Sequence, residues 1–199
     1  ILLSLLLALA LPAALLRAGD FRMRWVETEV VLDRDGKAQV SYAVRWNSSG
    51  ALHGFYFEGV QEKPVFDYER ACAVDADGNR YPLEIKQLSD NKYDVVLAGG
   101  RSFSGGEITY FFRYAADLEA SGNVTQTMAG DKKLAVFNWA PVQWDDELEH
   151  EALTVRFPAE LASPAVDQAA LTRLDFRTEK FVNERYKIDY PTVKNAAGK

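Results

Sequence analysis

From Ala38 to Trp46 the chain alternates with a period of two. Ala38, Val40, Tyr42, Val44 and Trp46 are interleaved with Gln39, Ser41, Ala43 and Arg45. The period returns at Ile108, Tyr110, Phe112 and Tyr114, interleaved with Thr109, Phe111, Arg113 and Ala115. Strand side chains point alternately to opposite faces, so each run builds one apolar face. An apolar sheet face is stable only against another packed layer, which confines the chain to a small set of architectures.

The rest of the sequence extends this pattern. Val26–Leu32 is β-branched and apolar, and Asp33-Arg34-Asp35-Gly36 joins it to the alternating run as a hairpin, which Asn47-Ser48-Ser49-Gly50 is expected to end. Further strands are expected at His53–Val60, within Pro64–Val74, at Tyr81–Gln87 and at Tyr93–Leu97. Turn residues at Asp75–Asn79 and Ser89–Asn91 separate them. Gly99–Gly106 reads as a flexible connection and Asp117–Asp131 as a long loop. Lys133–Val142 and Leu153–Phe157 read as strands, Ala165–Leu174 as a short helix, and Phe176–Tyr190 as one or two edge strands. Short strands at roughly 8–12-residue spacing with little helix predict an all-β fold, an antiparallel β-sandwich of immunoglobulin-like architecture.

Ile1–Leu16 breaks the pattern, being uncharged and almost wholly aliphatic. Sixteen helical residues span about 24 Å against a hydrocarbon core of roughly 30 Å. The chain starts at Ile rather than Met, so the apolar stretch is expected to extend upstream. Leu16-Arg17-Ala18 makes a poor small-x-small cleavage site, and no Cys follows for a lipid anchor. Residues 1–18 are therefore expected to be a retained transmembrane helix or signal-anchor. Leu2, Leu3, Leu5, Leu6, Leu7, Leu9, Leu11, Leu15 and Leu16 would lie in the lipid bilayer. Residues 19–199 would form one extracytoplasmic domain, in the periplasm or outside the cell.

Composition narrows the partners. A net charge of −6 argues against nucleic acid, which demands clustered Lys and Arg, and against lying flat on anionic lipid. Eleven Phe, nine Tyr and four Trp suffice to fill a core. A single cysteine, Cys72, excludes an intrachain disulfide and reads as a buried strand thiol. Asn47-Ser48-Ser49 and Asn123-Val124-Thr125 are sequons, relevant only in a glycosylating host.

Candidate chemistry is sparse. Trp144-Asp145-Asp146-Glu147-Leu148-Glu149-His150-Glu151 is the densest polar stretch, and Asp145, Asp146, Glu147 and Glu149 are a weak calcium candidate. The spacing fits no EF-hand, so a solvated acidic loop is the plainer reading. His150 and His53 could share a metal only if the fold joined them. Paired carboxylates near Trp139 and Trp144 suggest glycoside hydrolysis, but the linear order marks no pair at the required separation. The same two indoles could instead form a stacking platform for a cell-envelope glycan or a protein interface. Gly99-Gly100 and Gly105-Gly106 lack the Lys-Ser/Thr ending of a phosphate loop. No catalytic residue and no cofactor is expected.

Three features in order carry a family resemblance: the strand pair VVLDRDGKAQVSYAVRW, the run Ile108-Thr109-Tyr110-Phe111-Phe112-Arg113-Tyr114 after a Gly-flanked aromatic strand, and Val136-Phe137-Asn138-Trp139 followed by Trp144 and Phe157-Pro158. Over roughly Phe21 to Pro158 the chain resembles the N-terminal extracytoplasmic domain of a predicted bacterial membrane protein family of unknown function (DUF2207-like). The resemblance implies an ectodomain beside membrane helices and carries no catalytic residues. The expected role is a non-enzymatic accessory or scaffolding subunit that packs against other subunits of a membrane complex.

Overall fold

The structure, a computed structural model, describes residues 20–144 and 148–156. The apolar run Ile1–Leu16, the helix expected at Ala165–Leu174 and the strands expected at Phe176–Tyr190 lie outside them. The described residues form eleven strands: β1 (Phe21–Leu32), β2 (Lys37–Leu52), β3 (Gly54–Glu58), β4 (Val65–Phe66), β5 (Cys72–Asp75), β6 (Arg80–Ser89), β7 (Lys92–Leu97), β8 (Phe103–Asp117), β9 (Val124–Ala129), β10 (Lys132–Phe137) and β11 (His150–Arg156). A single turn of 3₁₀ helix, Ala98–Gly100, joins β7 to β8.

Nine strands form one sheet, eight of them along the hydrogen-bonded path β11-β1-β2-β8-β5-β6-β7-β3 and the ninth, β4, paired to β8 off that path. The long β2–β8 ladder is its spine and sets Val44 opposite Tyr110, Tyr42 opposite Phe112 and Val40 opposite Tyr114. All six are buried, so the alternation in each strand becomes one continuous apolar face. Three strands lie between β8 and β3 along the path, yet the rings of β3 meet those of β2 and β8. Phe57 stands edge-on to Tyr42 at 4.9 Å and to Phe112 at 5.0 Å, and Phe55 edge-on to Tyr110 at 5.3 Å. The path therefore folds over and closes its core between its two halves. β6 makes the corner. Residues 80–82 pair with β5 and residues 83–89 pair with β7, and the change falls at Pro82, which has no N–H for a ladder.

Several expectations are corrected. The ladders are not all antiparallel, because β11 joins β1 in parallel, Trp25 beside His150 through Val31 beside Arg156. Asn47–Gly50 does not end β2, which continues to Leu52 through an irregularity between Ser48 and Ala51. There the Ser48 hydroxyl donates to the Gly50 carbonyl at 2.6 Å, substituting for a ladder partner. Gly105 and Gly106 are not loop residues. They lie in β8 near this irregularity with φ of +88° and +97°, a region that an L side chain rarely adopts. Pro64–Val74 holds two short strands, β4 and β5, and the strand expected to reach Val142 stops at Phe137. β9 falls within the expected loop. Among the described residues it pairs only with β10, and neither face carries a run of apolar residues to give a period.

The β5–β6 turn shows how local chemistry sets the chain. Asp75 accepts hydrogen bonds from the Asp77 N–H (3.0 Å), the Asn79 N–H (2.9 Å), Asn79 Nδ2 (2.9 Å) and the Tyr81 hydroxyl (2.8 Å). The Asn79 amide foremost, then Tyr81, holds its carboxyl below the usual carboxylate range.

Two substitutions separate packing from hydrogen bonding in the core. Phe57→Ala removes a fully buried ring and is expected to cost about 3–5 kcal/mol in urea unfolding. Among the described residues the buried Tyr110 hydroxyl has no hydrogen-bond partner, so Tyr110→Phe is expected to change stability by less than about 1 kcal/mol. A large loss for Tyr110→Phe would show that its hydroxyl is bonded in solution.

Candidate functional site

The densest buried polar cluster sits where the β3–β4 connection meets the segment 138–144. Glu62 is 4% exposed, and its Oε1 accepts from the Tyr114 hydroxyl at 2.6 Å and from Trp139 Nε1 at 3.3 Å. Nearby, the Val142 N–H donates to the Tyr42 hydroxyl at 3.4 Å. A carboxyl this deep needs donors, and two side chains from distant parts of the chain supply them. Burial foremost drives the Tyr114 phenol far above its usual value, and Tyr42 and Glu62 add to it. Burial does the same to Tyr42 and Tyr110.

Segment 138–144 closes over this cluster. Asn138 anchors it, donating from its N–H to the Asn123 carbonyl at 2.7 Å and accepting on its own carbonyl from Asn123 Nδ2 at 2.9 Å. Trp144 packs against Phe55 (5.9 Å) and Phe57 (6.2 Å), Val142 is buried, and Trp139 is half-buried with its ring stacked on Phe137 at 6.4 Å. Trp139 and Trp144 thus both contribute to packing the core. Among the described residues the buried Trp144 Nε1 has no hydrogen-bond partner. Asn123, the second sequon, is buried, and both ends of its amide are engaged.

The acidic stretch is only partly described. Asp145, Asp146 and Glu147 lie outside the described residues. Glu149 forms an ion pair with Arg24 at 2.8 Å, and its N–H donates to the Arg24 carbonyl at 2.9 Å, where β1 carries a bulge. His150 stands 3.9 Å from Glu27, whereas His53 Nδ1 lies 3.0 Å from the Arg101 carbonyl, so the two histidines engage different partners. Among the described residues no three His, Cys, Asp or Glu side chains are grouped to hold a metal. Cys72 is buried in β5, with Arg80 Nη2 3.0 Å from its sulfur.

A shallow hollow of about 250 Å³ opens beside β4, lined by Gln39, Val65, Asp67, Arg113 and Ala115 among others. Its one guanidinium is engaged, since Arg113 donates through both Nε and Nη2 to Asp67 Oδ2. The volume falls below the usual range for a small-molecule site, about 300–1,000 Å³.

Sequence reasoning missed Glu62. Val60-Gln61-Glu62-Lys63 has no period, and its partners lie 52 and 77 positions away, so no local signal marks it.

No family model matches the chain, and neither does any curated protein. Among solved structures the chain is similar to the M1 zinc metallopeptidase of Deinococcus radiodurans, both native and as a point mutant. The identity is 15% and the TM-score 0.35 over 49% of this chain and 20% of that enzyme. The match spans a fifth of the enzyme's length, and at that TM-score it carries no argument about fold or activity.

Two measurements test this cluster. Tyr42, Tyr110 and Tyr114 are neutral in the fold with raised values, so their contribution is complete below the unfolded phenol value of about 10. It is withdrawn as pH rises above that value toward their folded ones, so stability falls with alkali. Of the nine tyrosines, these three are expected to ionise only together with unfolding, seen as a phenolate absorbance step coincident with loss of circular dichroism. Independent titration of all nine in the folded protein would contradict the packing. In the second test, Glu62→Ala removes the acceptor shared by the Tyr114 hydroxyl and Trp139 Nε1 and is expected to cost about 1–3 kcal/mol. Combined with Tyr114→Phe it should show a coupling of about 0.5–3 kcal/mol, and strict additivity would deny the bond.

Proposed function

We propose that this chain is a non-enzymatic, membrane-anchored protein whose domain lies in the periplasm or outside the cell. It acts as an accessory or scaffolding subunit that packs against a larger membrane assembly. In this reading the folded-over sheet is a β-sandwich of immunoglobulin-like architecture, and residues 1–18 form the helix that holds it at the bilayer. It is the kind of ectodomain implied by the resemblance to the bacterial membrane protein family, and it uses no cofactor.

One observation carries the reading. The uncharged run Ile1–Leu16 leads directly into a strand-built domain that keeps large apolar side chains on its surface. Tyr56, Val65, Tyr68, Leu88 and Met128 are each more than half exposed, on five separate parts of the chain. Exposed apolar side chains gain most from being covered by a partner. The polar clusters support the same view, because Glu62, Asp75 and the Asp67–Arg113 pair are each consumed in holding the fold. Among the described residues no helix is long and apolar enough to cross a membrane.

Extraction from native membranes in mild detergent is the direct test. The chain is expected in the membrane fraction, co-migrating with at least one other membrane protein. Recovery in aqueous extracts with the first residues trimmed, or only this chain in detergent, would overturn the proposal.

A further inference from the structure

β3 ends the hydrogen-bonded path, and two bonds reveal how its backbone is oriented. The Leu97 N–H donates to the His53 carbonyl at 2.8 Å, and the Gly59 N–H donates to the Asn91 carbonyl at 2.9 Å. In an antiparallel pair, hydrogen-bonded and non-hydrogen-bonded positions alternate. Residues 53, 55, 57 and 59 therefore spend their backbone groups on the β7 side. Gly54, Tyr56 and Glu58, opposite Val96, Asp94 and Lys92, aim theirs outward. Among the described residues nothing bonds to those outward groups.

The exposed side chains of β3 are drawn away from this edge. Lys92 Nζ sits 4.5 Å over the Tyr56 ring and 2.7 Å from Glu58 Oε2, drawing both toward β7. Gly54 lies so close to β7 that an added Cβ would fall 2.0 Å from the Val95 carbonyl oxygen. Most natural edges are guarded by a central charge, a proline or a bulge. The middle of this one carries an exposed aromatic residue.

We propose that this edge is self-complementary and that two copies of the chain pair through it, β3 against β3, antiparallel about a two-fold axis at Tyr56. In that register Tyr56 faces Tyr56 of the partner copy and Gly54 faces Glu58. All three facing pairs are outward-aimed positions, so each exchanges two hydrogen bonds and six form in all. Gly54 brings no side-chain charge opposite Glu58, so no like charges face each other. The sheet of one copy continues into that of the other, and the closed two-fold contact uses up both edges. β11, at the opposite end of the path, lacks this fit. Centred on Leu153 it would set His150 against Arg156, both bases. Phe55 and Phe57 are already buried within one copy, so each copy folds before it pairs. An interface of five residues a side is small, and the dimer is expected to be concentration-dependent. The inference does not depend on the membrane reading.

The test uses the full chain in mild detergent, followed by sedimentation velocity over a range of concentrations. The native chain is expected to shift from monomer to dimer. Tyr56→Pro deletes only an outward N–H, a place where an edge strand accepts proline, and is expected to remain monomeric with unchanged circular dichroism. Should that variant fail to fold, Tyr56→Cys decides. Facing Cα atoms at a hydrogen-bonded pair lie about 5.5 Å apart, within disulfide reach, so mild oxidation should yield a covalent dimer. Leu88→Cys, exposed on β6 away from the axis, should crosslink far more slowly. A monomer at every concentration, a dimer indifferent to Tyr56→Pro, or equal crosslinking at both positions would overturn the proposal.

Discussion

The structure depends on the meeting of two aromatic rows across the core. Tyr42, Tyr110, Phe112 and Tyr114 project from the β2–β8 ladder, and Phe55 and Phe57 project from β3 onto them. Edge-on contacts at about 5 Å between rings suit their quadrupoles, and each ring brings a large apolar area out of water. Hydrogen bonding alone would leave β3 at the far end of an eight-strand ribbon. The apolar faces of the spine and of β3 both need burial, so the ribbon turns at Pro82 and doubles back. Phe66 joins the same cluster, edge-on to Tyr93 and Tyr114, which ties the short β4 strand into the core.

A doubled sheet has open sides, and segment 138–144 covers one of them. It does so with almost no backbone hydrogen bonding of its own beyond Asn138. Trp144 and Val142 supply apolar cover, while Trp139 and the Val142 N–H find Glu62 and the Tyr42 hydroxyl. The buried carboxyl is thus best understood as a structural acceptor, placed where irregular backbone must cross an aromatic core. The same logic applies at Asp75, Asp67 and Glu149, each of which fixes a turn, a guanidinium or a bulge. The acidic residues of the described domain largely serve its architecture.

Strand positions were legible wherever one face is buried and the other is wet. β2, β8 and the first hairpin follow from the two-residue period, because burial on one side leaves that imprint on composition. The signal failed where this condition fails. In β9, Thr125 to Met128 are exposed on both faces, so its residues show no alternation, and it reads as a loop. Gly105 and Gly106 read as a linker because their positive φ serves a strand irregularity that depends on β2 across the ladder. Glu62 was invisible for a related reason, since its meaning comes from partners far along the chain.

By itself the sequence determined that this chain is built of strands, which faces of the two longest are apolar, and that an oily segment precedes them. These are local properties, set by side-chain period and by hydropathy over a short window. Only the tertiary structure decided that β11 runs parallel to β1, that Pro82 is a corner, that Trp139 and Trp144 turn toward the core, and that Gly54, Tyr56 and Glu58 face outward. Each of these is a relation between residues distant in sequence. Register and edge orientation are set by the packing of whole faces, a constraint that no single segment carries.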